Sequence, residues 1–293
     1  MATIPWYETN MLQTKIKQIF FFFISSVVPI SVLANSPVRD GFAGAGRSGI
    51  PREALFSNPA ALSALETSWA FAYYTKSRMS DLDSGGRNLH LGVYDGQNEL
   101  FKAGLSYSRE SRAKSVATGI TYIDQTELRV GGGRMLAKNI SGGATVKYRT
   151  RRMGAEETKK IDGDAGILFP LFQDMFAGIT YENIAFIDPE NPTSINVGLK
   201  YSLMQSIGLL ADATRITAGD FRGENAWALG VEFSMVSDFF FRAGLFKNTA
   251  TQTRGKSFGI SWVGPRASFD YAIKMAKDFP RERDHVLGIS VQL

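Results

Sequence analysis

The chain ends on Val286-Leu287-Gly288-Ile289-Ser290-Val291-Gln292-Leu293, where large apolar residues alternate with small or polar ones. Successive side chains of a β-strand point to opposite faces of the sheet, so this alternation predicts a strand with one apolar face. Similar segments recur from Thr67 onward, and we count about fourteen, each of roughly 9–11 residues, the length of a tilted strand that crosses a bilayer. The clearest are Trp69-Phe71-Tyr73, Leu89-Leu91-Val93, Phe101-Ala103-Leu105-Tyr107, Ile140-Gly142-Ala144-Val146-Tyr148, Ile195-Val197-Leu199-Tyr201, Trp227-Leu229-Val231-Phe233 and Phe258-Ile260-Trp262.

The connections between these segments alternate in length. Short turns are predicted at Asp95–Glu99, Ala137–Asn139, Pro170–Asp174, Leu203–Gln205, Val236–Asp238 and Gly264–Arg266. Longer polar connections are predicted at Lys76–Arg87, Arg109–Gln125, Arg151–Lys160, Asn183–Thr193, Thr214–Asn225, Lys247–Arg254 and Ala276–Glu282. Short turns at one end and long loops at the other are typical of a bacterial outer-membrane β-barrel with the long loops outside, and they make the strand number even. Segment 113–124 is left as a loop or a strand extension, because a separate strand there would make the number odd.

Composition fits this interpretation. The mean hydropathy of −0.09 is too polar for a bundle of membrane helices, whereas barrel strands are apolar on one face only. The chain has no cysteine, which excludes disulfides and thiolate metal sites. A soluble β-sandwich or a periplasmic barrel is the alternative, although a sandwich does not require short and long connections in rotation.

Residues 1–34 are predicted to be a cleaved secretory signal peptide. Lys15 and Lys17 precede an apolar run over 19–33, which ends on Val32-Leu33-Ala34, a small-residue cleavage pattern. Met11 is the predicted start, since residues 1–10 add nothing to the signal. Because a cleaved signal is absent from the mature protein, we exclude residues 1–34 from the fold. An uncleaved signal anchor is the alternative.

If the large apolar residues face lipid, the opposite face of the strands lines the lumen. That face is predicted to carry His90, Lys102, Arg129, Lys147, Asp162, Asp164, Glu182, Lys200, Asp212, Glu232, Arg242, Asp270 and Lys274. Both charge signs are present, so these groups either pair inside a packed lumen or are solvated in an open one.

Ten glycines sit near mid-strand, mostly on the lumen parity: Gly92, Gly104, Gly166, Gly178, Gly198, Gly208, Gly230, Gly244, Gly259 and Gly288. Glycine weakens a strand unless another backbone comes close or the strand bends. The glycines therefore predict that something occupies the barrel, with relief of curvature in a narrow barrel as the alternative. The triplet Gly131-Gly132-Gly133 is predicted to be a kink or bulge.

Residues 35–66, between the signal and the first strand, are rich in glycine and alanine and lack a strand period. The glycine run contains Gly41, Gly44, Gly46 and Gly49, and a short gap separates it from Asn58-Pro59-Ala60-Ala61-Leu62. A glycine-and-alanine run, then Asn-Pro-Ala-Ala-Leu, then a first barrel strand resembles the superfamily of the long-chain fatty-acid transporter FadL, which the PorV-like outer-membrane proteins share.

This resemblance implies a barrel of fourteen strands over residues 67–293 and a plug formed by residues 35–66. It implies that Asn58, Pro59 and Ala60 anchor the plug against the inner wall. It also implies transport of a small hydrophobic compound, or, for a PorV-like protein, an adaptor role with a partner in protein secretion or surface attachment. A structural barrel without transport is the remaining alternative. One departure is that Arg109-Glu110-Ser111-Arg112 and Arg149-Thr150-Arg151-Arg152 predict short, charged outer loops, where FadL transporters have long, greasy ones.

Other chemistry finds little support in the sequence. Neither His90 nor His285 has a recognisable nucleophilic serine partner, so we expect no enzyme activity. Gly41–Gly46 follows no strand, which argues against a phosphate loop, and we expect neither a cofactor nor a nucleic-acid partner. Asp162 and Asp164 alone offer too few oxygens for a calcium site. The basic residues near the loops are expected either to bind lipopolysaccharide phosphates or to form a solvated rim: Arg109, Arg112, Lys114, Arg151, Arg152, Lys159 and Lys160.

Overall fold

The computed structural model describes residues 36–78, 86–98, 100–116, 119–185, 191–203, 206–236, 238–277 and 283–293. The predicted signal peptide, residues 1–34, lies outside these residues. Among the described residues, no helix combines the length and the hydropathy needed to span a bilayer.

Fourteen strands form one closed antiparallel barrel, in which each strand pairs with the next and the last pairs with the first. This confirms the predicted fold class. The strands are β1 (Trp69–Arg78), β2 (Arg87–Asp95), β3 (Lys102–Val116), β4 (Gly119–Ala137), β5 (Ile140–Met153), β6 (Glu156–Phe172), β7 (Met175–Glu182), β8 (Ser194–Leu203), β9 (Ile207–Ile216), β10 (Asn225–Val236), β11 (Phe239–Asn248), β12 (Thr253–Val263), β13 (Ala267–Ala276) and β14 (Arg283–Gln292).

The closing pair joins the two ends of the barrel in continuous register. Trp69 pairs with Gln292 and Arg78 with Arg283, without an intervening shift. Trp69 also pairs with Tyr94 near the end of β2. The start of β1 and the end of β14 therefore lie at the same edge as the six predicted short turns, which is why the strand number is even.

Three of the predicted long connections are shorter in the structure than the sequence predicts. β3 and β4 pair from Lys102↔Gly133 to Val116↔Gly119, so the predicted loop Arg109–Gln125 is mostly strand and segment 113–124 extends both strands. β5 and β6 pair as far as Met153↔Glu156, which replaces the loop predicted at Arg151–Lys160. β11 and β12 pair as far as Asn248↔Thr253, inside the predicted loop Lys247–Arg254.

The charged stretches of these connections are consequently strand residues. Arg109–Arg112 lies in β3 and Arg149–Arg152 lies in β5, not in outer loops. The reason is that a backbone ladder does not require apolar side chains, so two strands continue to pair after their apolar period has ended. Polar composition there marks the change of surroundings and not the end of the strand.

The outer face of the barrel carries a band of exposed apolar residues. On β14, Leu287, Ile289 and Val291 are exposed, whereas Val286 and Ser290 are buried. Large apolar residues are exposed at alternate positions on most of the other strands as well. Closure of the barrel leaves no unpaired strand edge, and the apolar exterior suits contact with lipid, as a structure in hydrocarbon requires.

The glycine triplet is not a kink. Gly131, Gly132 and Gly133 pair with Thr145, Ala144 and Gly143 in unbroken register, and the register shift falls later, between Met135 and Ala137. The triplet has a different cause, which lies inside the barrel.

Residues 36–66, which we call the N-terminal segment, form three short helices before β1. Helix α1 (Pro37–Gly41) begins after Ser36, whose hydroxyl accepts a hydrogen bond from the Arg39 amide. Two 3-10 helices follow, over Pro51–Phe56 and Pro59–Ala64. Proline occupies the first turn of all three helices, where its missing N–H is not needed.

Candidate functional site

The N-terminal segment lies along inward-facing glycines of the strands. A Cβ added to Gly244 or Gly230 would meet Phe42, at 2.5 and 2.8 Å, and one added to Gly198 would lie 2.7 Å from the Ser48 amide. These positions therefore tolerate no side chain without displacing the segment.

Most of the ten predicted mid-strand glycines contact this segment. A Cβ at Gly104, Gly166, Gly178, Gly198, Gly230, Gly244, Gly259 or Gly288 would meet it within 3.2 Å. Gly131, Gly133 and Gly143 meet it in the same way, which explains two members of the triplet. Gly92 and Gly208 instead face Phe71 and Glu232 of neighbouring strands.

Asn58 links three parts of the structure through one carboxamide. Its Nδ2 donates to the Arg47 carbonyl at 2.9 Å and to the Ile167 carbonyl of β6 at 3.0 Å. Its Oδ1 accepts from the Ala60 amide at 3.0 Å, capping the second 3-10 helix. The side chain is fully buried, and its bonds to Arg47 and Ala60 are shielded from water.

The other residues of the predicted plug motif are also in close contact with the barrel wall or with the segment itself. The Pro59 carbonyl lies 2.7 Å from the Cβ position of Gly133, and Ala60 is fully buried. Gly41 accepts a hydrogen bond from the Ser257 hydroxyl at 2.9 Å, and Gly44 closes a turn onto Arg39. A Cβ added to Gly49 would lie 3.2 Å from Leu168 Cδ2.

Arg47 and Asp212 form the principal charged link between segment and wall. Asp212 Oδ2 accepts from the amides of Gly46 and Arg47, at 2.9 and 3.0 Å, and lies 3.5 Å from the Arg47 guanidinium. Arg47 also pairs with Glu182 at 3.1 Å. Gly46 has φ of +149°, which L side chains rarely adopt, so glycine is required for this turn.

The thirteen predicted lumen residues are all buried or half-buried. The buried ones are His90, Arg129, Lys147, Asp162, Asp164, Asp212, Arg242 and Asp270. The half-buried ones are Lys102, Glu182, Lys200, Glu232 and Lys274.

Most of these charges are paired with one another or with the segment. Lys147 pairs with Asp164 at 2.6 Å. Asp162 accepts from the amides of Gly163 and Ala185. Lys102 donates to the Leu65 carbonyl.

Arg129 and Arg242 are the centres of two further groups. Arg129 contacts Glu127 and donates a hydrogen bond to the Leu55 carbonyl at 2.8 Å. Glu127 also pairs with Arg149 at 2.6 Å. Arg242 lies 2.7 Å from Glu232 and 3.6 Å from Asp270. Glu127 and Arg149 were not among the predicted residues, although both share the lumen parity of their strands.

Two carboxyl groups of the segment are perturbed by burial. Burial raises the pKa of Glu53 to about 8, with the Ser36 hydroxyl opposing the shift. Burial also raises the pKa of Asp40 to about 6, with Lys274, 3.9 Å away, opposing it. Both groups were missed, because the segment lacks a period that would place its side chains.

The interior has two apolar regions. One joins Val38, Phe42 and Ala45 of the segment to Leu210 and Ala228 of the wall. The other lies where the segment meets β1 and β2. Phe56 packs with Phe71 at a ring-centroid distance of 5.8 Å, and Phe71 stacks on Tyr73 and Tyr94 at 4.8 and 5.1 Å. Leu55 and Leu62 belong to the same buried cluster. We call Phe56, Phe71, Tyr73 and Tyr94 the aromatic cluster.

This cluster corrects the orientation that the sequence predicted for β1. The rule that large apolar residues face lipid predicts an outward Trp69, Phe71 and Tyr73, but they are 7, 5 and 2% exposed and face the interior. The register gives the signal that was missed, because Tyr73 pairs with His90 on one side and Gly288 on the other, and both are on the lumen parity.

Neither a protein-family model nor a curated protein matches the chain. Solved structures do. The CymD monoaromatic hydrocarbon channel superposes with a TM-score of 0.75 at 12% identity, over 90% of this chain and 98% of its own. The toluene transporter TbuX of Ralstonia pickettii gives 0.73 at 12% identity, over 90 and 100%. A FadL homologue of Pseudomonas aeruginosa gives 0.68 at 13% identity, over 88 and 98%. The fold of this chain is that of the FadL-type outer-membrane β-barrels.

Proposed function

We propose that this protein is an outer-membrane channel for small hydrophobic compounds and that residues 36–66 are its plug. The observation that carries the proposal is the row of inward-facing glycines against which the segment packs. Proteins of the same fold are named as channels and transporters, of toluene in the case of TbuX. We propose no enzymatic role.

The distribution of polarity inside the barrel supports a route beside the segment. The ion pairs of Arg129, Lys147 and Arg242 make much of the inner wall polar. The aromatic cluster is the larger of two apolar regions in the described interior, and the segment covers it. A hydrophobic solute is therefore expected to pass between the segment and the β1–β2 wall after the segment moves.

Uptake of radiolabelled toluene tests the proposal. Cells that lack a channel of this kind would express the protein, and uptake is expected to exceed that of cells with an empty vector. Equal uptake with and without a correctly inserted barrel would refute transport of this class. Recovery of a stoichiometric protein partner together with absent uptake would favour the adaptor function instead.

A disulfide lock tests the role of the segment. The hydroxyl oxygens of Ser63 in the segment and Ser141 in β5 are 2.7 Å apart, so a pair of cysteines there is placed for a disulfide. The natural chain has no cysteine, so no other thiol interferes. The oxidised Ser63→Cys/Ser141→Cys variant is expected to lose uptake and to regain it on reduction.

The two single-cysteine variants are the matched controls, and both should transport under either redox condition. Full uptake by the oxidised double variant would show that this part of the segment does not need to move.

A further inference from the structure

Phe56 is held by the β1–β2 wall as a ligand ring would be. Its ring meets Phe71 at 5.8 Å with an interplanar angle of 83°, and it meets the His90 imidazole at 5.5 Å and 71°. Both are edge-to-face arrangements, which aromatic rings prefer. The Arg129 guanidinium lies 5.2 Å from the centre of the same ring.

The His90 imidazole beside this ring is unsatisfied. His90 is 1% exposed, and neither of its ring nitrogens has a hydrogen-bond partner among the described residues. Thr75 is also 1% exposed and its hydroxyl has no partner there either. Thr75 pairs with Asn88, two residues from His90 along β2, so the two are diagonal neighbours on the same face. Buried polar groups normally find partners, so an orphaned pair beside an aromatic cluster calls for an explanation.

We propose that this place binds a single-ring aromatic compound that carries a hydroxyl group, and that Phe56 occupies it when no ligand is bound. The ligand ring takes the position of the Phe56 ring against Phe71, and its hydroxyl pairs with His90 or Thr75. The inference rests on the proposed function and names the substrate class of the channel.

Two other ligand classes fit the wall less well. A plain hydrocarbon leaves His90 and Thr75 as unsatisfied as Phe56 does. A carboxylate needs a free cation, but Arg129 is already paired with Glu127 and bonded to the Leu55 carbonyl. A neutral hydroxyl both donates and accepts, so it suits an imidazole in either tautomer.

Binding of 4-fluorophenol and 4-fluorotoluene, followed by 19F NMR with the purified barrel in detergent, tests the proposal. The probes have the same ring and differ in the polar group. Phe56→Ala vacates the site, so it is expected to bind both probes more tightly than the natural protein does. It should prefer 4-fluorophenol by about two- to tenfold, the value of one net hydrogen bond. Phe56→Leu is the substitute if the alanine variant does not fold.

Further variants assign the preference to His90. Adding His90→Leu to Phe56→Ala should abolish the preference, and His90→Gln should restore part of it. Phe42→Ala is the matched control, because Phe42 is an equally buried ring of the same segment at the far side of the barrel, and it should produce no preference.

Equal affinity for the two probes in Phe56→Ala would overturn the proposal, as would a preference that survives His90→Leu. Toluene uptake without this preference would leave the channel standing and reject the site. The preference without uptake of either compound would support the site and reject the channel.

Discussion

Replacing Asn58 by alanine is expected to loosen the N-terminal segment without unfolding the barrel. The substitution removes the two hydrogen bonds from Nδ2, to Arg47 and Ile167, and the one that Oδ1 accepts from Ala60. No strand pairing depends on the side chain. The loss therefore falls on the attachment of the segment to β6 and on its internal turn.

The magnitude follows from these three bonds. A net hydrogen bond contributes about 0.5–1.5 kcal/mol, and a buried group left without a partner costs about 1–3 kcal/mol. Water entering the space left by the carboxamide recovers part of the loss. We therefore expect docking of the segment to weaken by about 2–4 kcal/mol, which raises its undocked population roughly 30- to 1000-fold.

Amide hydrogen exchange of peptides from residues 36–66, measured on the purified barrel, would detect this change. The matched control is Asn248→Ala, since Asn248 accepts two backbone hydrogen bonds from Ala250 and Thr251 in a turn away from the segment. Asn58→Asp is a second probe, because it keeps the acceptor for Ala60 but loses the donor. Unchanged exchange in Asn58→Ala, or an equal change in Asn248→Ala, would refute the assignment of Asn58 as the anchor.

Two further perturbations test the same attachment. Gly178→Val places methyl groups where the Arg47 carbonyl lies, so it should expose the segment to protease. Gly208→Ala, where the nearest atom to the new methyl group is Glu232 Cβ at 3.7 Å, should not, and resistance of Gly178→Val to cleavage would contradict the packing. The raised pKa of Glu53 means that the docked segment holds a proton that the released segment gives up, so docking should be strongest below about pH 4.5 and weaken as the pH rises to about 8. Exchange measured between pH 5 and 8 should show this slope in the natural chain and lose most of it in Glu53→Gln, and an identical slope in both proteins would reject Glu53 as its source.

The barrel could be predicted from the sequence because two simple constraints determine it. A strand with lipid on one side must be apolar at every second residue, and all six short turns interrupt that alternation visibly. The strand ends at the other edge could not be found in this way. There β3 to β6 continue beyond the apolar band, and their pairing depends on backbone hydrogen bonds that leave no mark on composition.

The sequence predicts the wrong orientation for β1 for a related reason. Apolar residues indicate lipid only when the lumen is polar, and Phe71 and Tyr73 face an interior that the segment makes apolar. Register would have corrected the assignment, because Tyr73 lies between His90 and Gly288 in the sheet. A strand whose two neighbours turn polar or glycine residues inward must turn the same parity inward as well.

The glycines of the wall and the Asn-Pro-Ala motif of the segment together allow the segment backbone to lie close to the strands. Glycine at Gly143, Gly166 and Gly178 makes sense only if backbone approaches there, and the Asn58-Pro59-Ala60 stretch supplies a compact backbone of small side chains. The sequence predicts the glycines and the motif separately, but it cannot match them, since the approach is fixed by the path of the segment and not by any period within it. The same limit applies to Phe56 and His90, which are 34 positions apart and meet only because Asn58 and Arg47 fix the segment on either side. The contact between Phe56 and His90, from which we infer the ligand class, is therefore a product of packing. Variants of Asn58 should alter the ligand preference only as far as they move Phe56.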